Sequence, residues 1–112
     1  MADHCIFCAI AQGKSRADVV LENDVVVVFR DVHPQAPVHL LAIPREHVPT
    51  LNEALPATVA ALYAAAVEAA QKEGCAQRGY RTVINVHREA GQSVWHLHLH
   101  VLGGRPLRWP PG

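Results

Sequence analysis

The sequence predicts an α+β fold, a five-stranded antiparallel sheet with one long and one short helix packed on one side of it. Three observations predict this class. Apolar and β-branched runs follow one another in hairpin-like succession, polar or proline-bearing turns separate them, and a single long helical period interrupts them. The chain has 112 residues, 50% of them apolar, which predicts one domain over residues 1–112 built on one modest core.

From Cys5 onward, Ile6, Ile10 and the Phe7/Ala11 pair recur at helical spacing, and Gly13 follows as a stop, giving the short N-terminal helix. Val19 to Glu22 and Val25 to Arg30 flank the polar Asn23-Asp24 and predict a hairpin. Pro34 and Pro37 bound an irregular loop. Val38 to Ile43 then reads as a third strand closed by Pro44, with His39 alternating onto the face of Leu41 and Ile43. Pro56 suits the first turn of a long helix in which Val59, Leu62, Tyr63, Ala66, Val67 and Ala70 keep a 3.6-residue period through Glu73, with Gly74 ending it. Tyr80 to Val86 and Val94 to Leu102 are the last two strands, joined by the polar stretch from His87 to Ser93.

Ten Lys and Arg balance ten Asp and Glu, so the chain lacks the basic footprint that a nucleic-acid duplex or an anionic membrane surface requires. Apolar runs such as Val25 to Phe29 are far short of the roughly 20 residues that span a bilayer, and the start carries no signal-peptide pattern. A cytoplasmic location is expected. Three cysteines, Cys5, Cys8 and Cys75, do not make a disulfide framework.

Histidine is the unusual residue, at eight. His96, His98 and His100 fall at i, i+2 and i+4 of the last strand, which places their imidazoles on one face about 6.5–7 Å apart. Leu97, Leu99 and Val101 then face the core, and His39 adds a fourth imidazole from another strand. Such a row is a metal cluster or a chemical site. For the row alone the metal reading is the weaker one, because a zinc tetrahedron would need distortion and a further ligand. Phosphorus transfer suits the row better: imidazole is substantially neutral, hence nucleophilic, near pH 7, and its phosphorus–nitrogen bond is labile enough for water to discharge.

The run His96-Leu97-His98-Leu99-His100-Val101-Leu102-Gly103-Gly104-Arg105 resembles the His-x-His-x-His-hydrophobic signature of the histidine triad superfamily. Gly91-Gln92-Ser93-Val94, the loop Asp31-Val32-His33-Pro34-Gln35-Ala36-Pro37 with Val38-His39-Leu40, and the ending Trp109-Pro110-Pro111-Gly112 resemble its Hint branch, the purine nucleoside phosphoramidases. The resemblance covers nearly the whole chain. It implies a sheet continued to ten strands across a homodimer, with the Pro56 to Glu73 helix and the Tyr80 to Val86 strand as the dimer surface. It also implies a hydrolase and nucleotidyl transferase that cleaves the P–N bond of purine nucleoside 5′-phosphoramidates, and takes the nucleotidyl group from aminoacyl-adenylates as well, through a nucleotidyl-histidine, with no metal needed for catalysis. Dinucleoside polyphosphate hydrolysis is the alternative from another branch of the superfamily. A nucleotide-binding interaction module with incidental catalysis is the alternative outside the enzymes. Ser93 and the Trp-Pro-Pro-Gly ending favour the phosphoramidase, and the intact histidines argue against a dead enzyme.

Carried over position by position, the resemblance makes His98 the nucleophile, His100 and His39 phosphate contacts, and Ser93 a group near the leaving amine. It puts Asn85 and Gln92 at the nucleotide and Asp31 on the ribose hydroxyls, where one carboxylate can accept from two vicinal donors. Phe7, Ile10, Phe29 and Val32 read as core from their apolarity and as an apolar clamp around the base from the resemblance. Trp109, on a proline-stiffened tail, is expected to pack on its own sheet or, as the resemblance suggests, to line the leaving-group side of a partner's pocket. The segment Asn85 to Gly91 and Arg30 depart from the family pattern beside the site.

Cys5-x-x-Cys8 has the spacing that presents two thiolates to zinc. Zinc-bearing relatives supply histidines at the positions of His47 and His96, so these four are the candidate ligands of a structural zinc tying the N-terminal helix to the sheet. His4 competes as a ligand. Cys75 reads as a small buried side chain.

Overall fold

Val26 to Phe29 are consecutive and all buried, a run that needs cover on both faces of a sheet. A computed structural model, describing residues 5–112, shows how both faces are covered. Strands β1 (Val19–Glu22), β2 (Val26–Arg30), β3 (Val38–Pro44), β4 (Tyr80–Val83) and β5 (Leu99–Gly103) form one antiparallel sheet in the order β1-β2-β3-β5-β4. The helices are α1 (Ile6–Ala11), α2 (Pro56–Lys72) and a single turn, α3 (His87–Ala90). No helix among the described residues is long and apolar enough to cross a membrane. His4 lies outside the described residues.

The period of two sorts the strand residues between two cores. Val26, Val28, Leu40 and Ala42, with Leu97, Leu99 and Val101, pack against Leu62, Ala65, Ala66 and Ala69 of α2. Val27, Phe29, Leu41 and Ile43 pack instead with Phe7 and Ala11 of α1. The expectation of helices on one side is therefore corrected: α1 and α2 lie on opposite faces, because β2 and β3 are apolar on both. The site residues share the face of α1.

Within α2 the buried stripe is Leu62, Ala65, Ala66, Ala69 and Ala70. Tyr63 and Val67, expected in it, are 39% and 45% exposed and form an outer line with the exposed Leu55. Arg30 lies on the α2 side of β2, where its guanidinium grips both carboxylate oxygens of Glu73 at 2.5 and 2.9 Å and its Nε lies 3.2 Å from Asp18. It ties β2 to the end of α2, on the face away from the histidines.

Both final strands are shorter than predicted, and α3 was not foreseen. Continuing the β3–β5 register would set Leu97 opposite Pro44, which has no N–H to donate. The Pro44 carbonyl instead accepts from His96 Nε2 at 2.8 Å, and the Leu97 N–H donates to Val48 O at 2.7 Å. β5 consequently starts at Leu99, β4 ends at Val83 opposite His100, and the chain turns into α3, capped by Gly91 at φ +83°.

Candidate active site and metal centre

Of the three, only His100 lies within β5; His96 sits in a bend and His98 in irregular chain before it. The alternation survives nonetheless, since Leu97 and Leu99 join the α2 core while His96 and His98 face Phe7, with ring centroids 5.9 and 5.2 Å away. The register sets His100 opposite Leu41 and His39 opposite Leu102, making the two histidines diagonal neighbours on one face. Their rings meet through His39 Nε2 and His100 Nδ1 at 2.9 Å, and the His98 and His100 centroids are 5.0 Å apart. The expected cluster of His39, His98 and His100 is thus assembled.

His98 is 5% exposed, and its Nδ1 lies 2.8 Å from the main-chain oxygen of His96. A carbonyl can only accept, so Nδ1 carries the proton and the neutral ring keeps its lone pair on Nε2. Burial, aided by the neighbouring His98 and His39, pushes the His100 imidazole down to about 4, and burial also lowers His39 against the opposing pull of Asp31. Because His100 titrates near 6.5 when unfolded, its contribution to stability is complete above about 6.5 and is lost as pH falls toward about 4. The melting temperature of His100→Gln should therefore drop less than that of the parent between these pH values. Equal slopes would refute the assignment.

His96 is fully buried and faces a different task. Its Nε2 donates to the Pro44 carbonyl at 2.8 Å, which leaves Nδ1 as a lone pair among the cysteines. Cys5 Sγ lies 3.4 Å and Cys8 Sγ 3.5 Å from that Nδ1, and Cys8 Sγ lies 3.2 Å from His47 Nδ1. All four donor atoms lie within 4.8 Å of one another. Tetrahedral zinc with ordinary Zn–S and Zn–N bonds sets such S···N pairs about 3.6 Å apart, and a histidine whose other nitrogen bonds a carbonyl is the usual oriented zinc ligand. The donor set fits zinc. In this arrangement burial, then the hydrogen bond and charge of Cys5, push the Cys8 thiol up to about 11, the thiol state that a metal would displace.

Asp31 is turned toward the histidines: Oδ1 accepts the His33 N–H at 2.9 Å and Oδ2 lies 3.3 Å from His39 Nε2. Phe7 and Phe29 are buried and meet edge to face at 5.6 Å, so both are core, as their apolarity suggested. Ile10 is half-buried, and Val32 departs from a core reading at 83% exposed. Asn85 is half-buried and Ser93 exposed, on either side of α3. Gln92 is buried and bonded into its loop: Oε1 accepts the His87 N–H at 3.0 Å, and Nε2 donates to Pro49 O at 2.8 Å and Val94 O at 3.1 Å. Trp109 is 80% exposed, with the Arg81 guanidinium 6.0 Å over its ring, rather than packed on its own sheet.

Residues 12–107 match the HIT domain family. The chain belongs to that family. A HIT family hydrolase from Legionella pneumophila Philadelphia 1, known from its crystal structure, is 47% identical with a TM-score of 0.94, the alignment covering 97% of this chain and 100% of that one. The purine nucleoside phosphoramidase of Escherichia coli K12 is 43% identical over 110 residues, 96% of this chain and 92% of that protein. A zinc-bound histidine triad family protein from Mycobacterium smegmatis is 32% identical with a TM-score of 0.83, covering 94% of this chain and 78% of that one. Two contributors to this HIT site escaped sequence reasoning, the main-chain oxygens of His96 and Pro44. Every residue carries such a group, so no side-chain pattern marks it.

Proposed function

We propose that this HIT protein is a cytoplasmic, homodimeric hydrolase and nucleotidyl transferase that cleaves the P–N bond of purine nucleoside 5′-phosphoramidates, and of aminoacyl-adenylates their P–O bond. The observation that carries the reading is His98 pinned through Nδ1 to the His96 carbonyl, with its Nε2 lone pair committed to no proton. The likeness to a purine nucleoside phosphoramidase supports the substrate class.

His98 Nε2 attacks phosphorus, and the amine leaves with the bond's electron pair and a proton. Water then attacks the same phosphorus, the bond to Nε2 breaks, and the nucleoside monophosphate departs with His98 restored. His100 contacts the phosphoryl oxygens with Asn85, His39 serves the phosphate through the His100 ring that its Nε2 meets, and Ser93 stands at the leaving group. The Asp31 oxygens keep further lone pairs for the ribose hydroxyls, and the exposed Val32 with Ile10 holds the base over Phe7 and Phe29. Gln92 acts by shaping its loop. Zinc held by Cys5, Cys8, His47 and His96 supplies a structural tie between α1 and the sheet. The outer α2 line of Leu55, Tyr63 and Val67 and the edge strand β4 form the dimer surface, from which Trp109 reaches the partner's pocket.

The test is turnover of adenosine phosphoramidate, an aminoacyl-adenylate and a diadenosine polyphosphate at equal concentration. The phosphoramidate should be cleaved fastest, and a preference for the polyphosphate would overturn the reading. Deleting Arg108 to Gly112 should reorder phosphoramidate leaving groups while barely changing affinity for the bare nucleotide. An unchanged order, or equal weakening of every ligand, would remove the tail from the site.

A further inference from the structure

Gly103-Gly104-Arg105 and the loop Asp31 to Pro37 lie far apart in sequence, yet they are locked together in the fold. Arg105 Nη2 donates to Gln35 O at 2.9 Å across 70 residues, and Nη1 donates to Pro106 O at 3.0 Å. Gly104 has φ +89°, and a Cβ there would sit 2.9 Å from the Pro37 Cβ, so only glycine lets the end of β5 come this close to the loop. Within the loop, Gln35 Nε2 donates to His33 O at 3.1 Å. The Gln35 main-chain N–H donates to His39 Nδ1 at 2.9 Å.

We propose that the Gln35 amide, positioned by Arg105, locks the tautomers of His39 and His100 so that His100 offers an Nε2–H donor beside the Nε2 lone pair of His98. A main-chain N–H can only donate, so His39 Nδ1 is bare and the proton of the neutral ring sits on Nε2. That Nε2 is 2.9 Å from His100 Nδ1 and 3.3 Å from Asp31 Oδ2. It donates to the His100 ring, with the carboxylate as second acceptor. His100 Nδ1 is then bare as well, and its proton sits on Nε2.

Two adjacent imidazoles are thereby held in opposite tautomers by two main-chain groups, His98 by the His96 carbonyl and His100, through His39, by the Gln35 amide. One ring becomes an electron-pair donor and the other a hydrogen-bond donor for a phosphoryl oxygen. Burial keeps His39 and His100 in the neutral form on which this depends. The catalytic consequence rests on the nucleotidyl-transfer reading above, whereas the tautomers themselves do not. Arg105 is a positioning residue, since it acts only through the loop.

Long-range 1H–15N correlation spectra of uniformly 15N-labelled protein distinguish bare from protonated ring nitrogens. In the parent, His39 and His100 should both show bare Nδ1 and protonated Nε2, and His98 the reverse. Gln35→Ala keeps the amide and should retain this pattern. Gln35→Pro removes it, and Arg105→Ala loosens its anchor. Both should give mixed tautomers at His39 and His100 with His98 unchanged, and kcat should fall on the order of tenfold with little change in KM. Arg105→Lys should restore most of the pattern. If Gln35→Pro does not fold, the exposed Arg105→Ala carries the test. A protonated His39 Nδ1 in the parent, or a pattern indifferent to both variants, overturns the proposal. The expected pattern without phosphoramidate turnover would instead overturn the functional reading alone.

Discussion

His98→Ala should lower phosphoramidate turnover by about a thousandfold or more, equivalent to about 4 kcal/mol of barrier, with the affinity for nucleoside monophosphate little changed. The size follows from the chemistry. Without His98 no group with an unprotonated nitrogen sits at the position set by the His96 carbonyl, and the two-step displacement collapses to direct attack by water. The groups proposed to hold the product, His100 and Asp31, with His39 between them, keep their mutual contacts at 2.9 and 3.3 Å, which is why binding should survive. Steady-state kinetics with calorimetric titration of the monophosphate separates the two effects. Acid-quenched turnover of the parent should additionally yield a nucleotidyl-protein adduct by mass spectrometry. Ordinary activity in His98→Ala would end the covalent mechanism.

The second large effect is expected at the cysteines. Protein purified without a tag should contain close to one zinc per chain by elemental analysis, and the double variant Cys5→Ser, Cys8→Ser should contain none. Its melting temperature should fall by about 10 °C, as expected when a few kcal/mol of metal linkage is removed from a domain of this size. The loss should be concentrated in α1, whose own contribution to the core is Phe7 and Ala11; hydrogen exchange at Phe7 to Ala11 would rise before that of α2. Because His96 both meets the cysteines and lends its carbonyl to His98, turnover should fall as well, while the parent treated with a chelator should follow the double variant. Metal-free parent protein with unchanged stability would remove zinc from the account.

How much was legible differs from residue to residue. The Val26 to Phe29 run announces a buried strand, but a list of apolar residues does not say which helix covers which face, and α1 lies opposite α2 rather than beside it. The periodicity of α2 was right, yet it could not separate Leu62 and Ala66, which are buried, from Tyr63 and Val67, which are not. That difference is a rotation of the helix about its axis, set by how closely the alanines let it approach the sheet. Arg30 departs from the family pattern, where some relatives have histidine; the strand period turns it to the other face, where it meets Glu73.

By itself the sequence determined the family, the five strands, the histidine row and the Cys5-x-x-Cys8 pair, because each is written in residue type and spacing; His47 and His96 joined that pair only through the resemblance to zinc-bearing relatives. The tertiary structure decided what these groups can do. Where β5 begins, which nitrogen of His96, His98 and His39 holds a proton, and what Arg105 anchors all depend on main-chain carbonyls and amides brought from distant segments. Such groups are chemically identical at nearly every residue, so only folding selects the ones that act, by leaving Pro44 O, His96 O and the Gln35 N–H each within hydrogen-bond reach of a single imidazole.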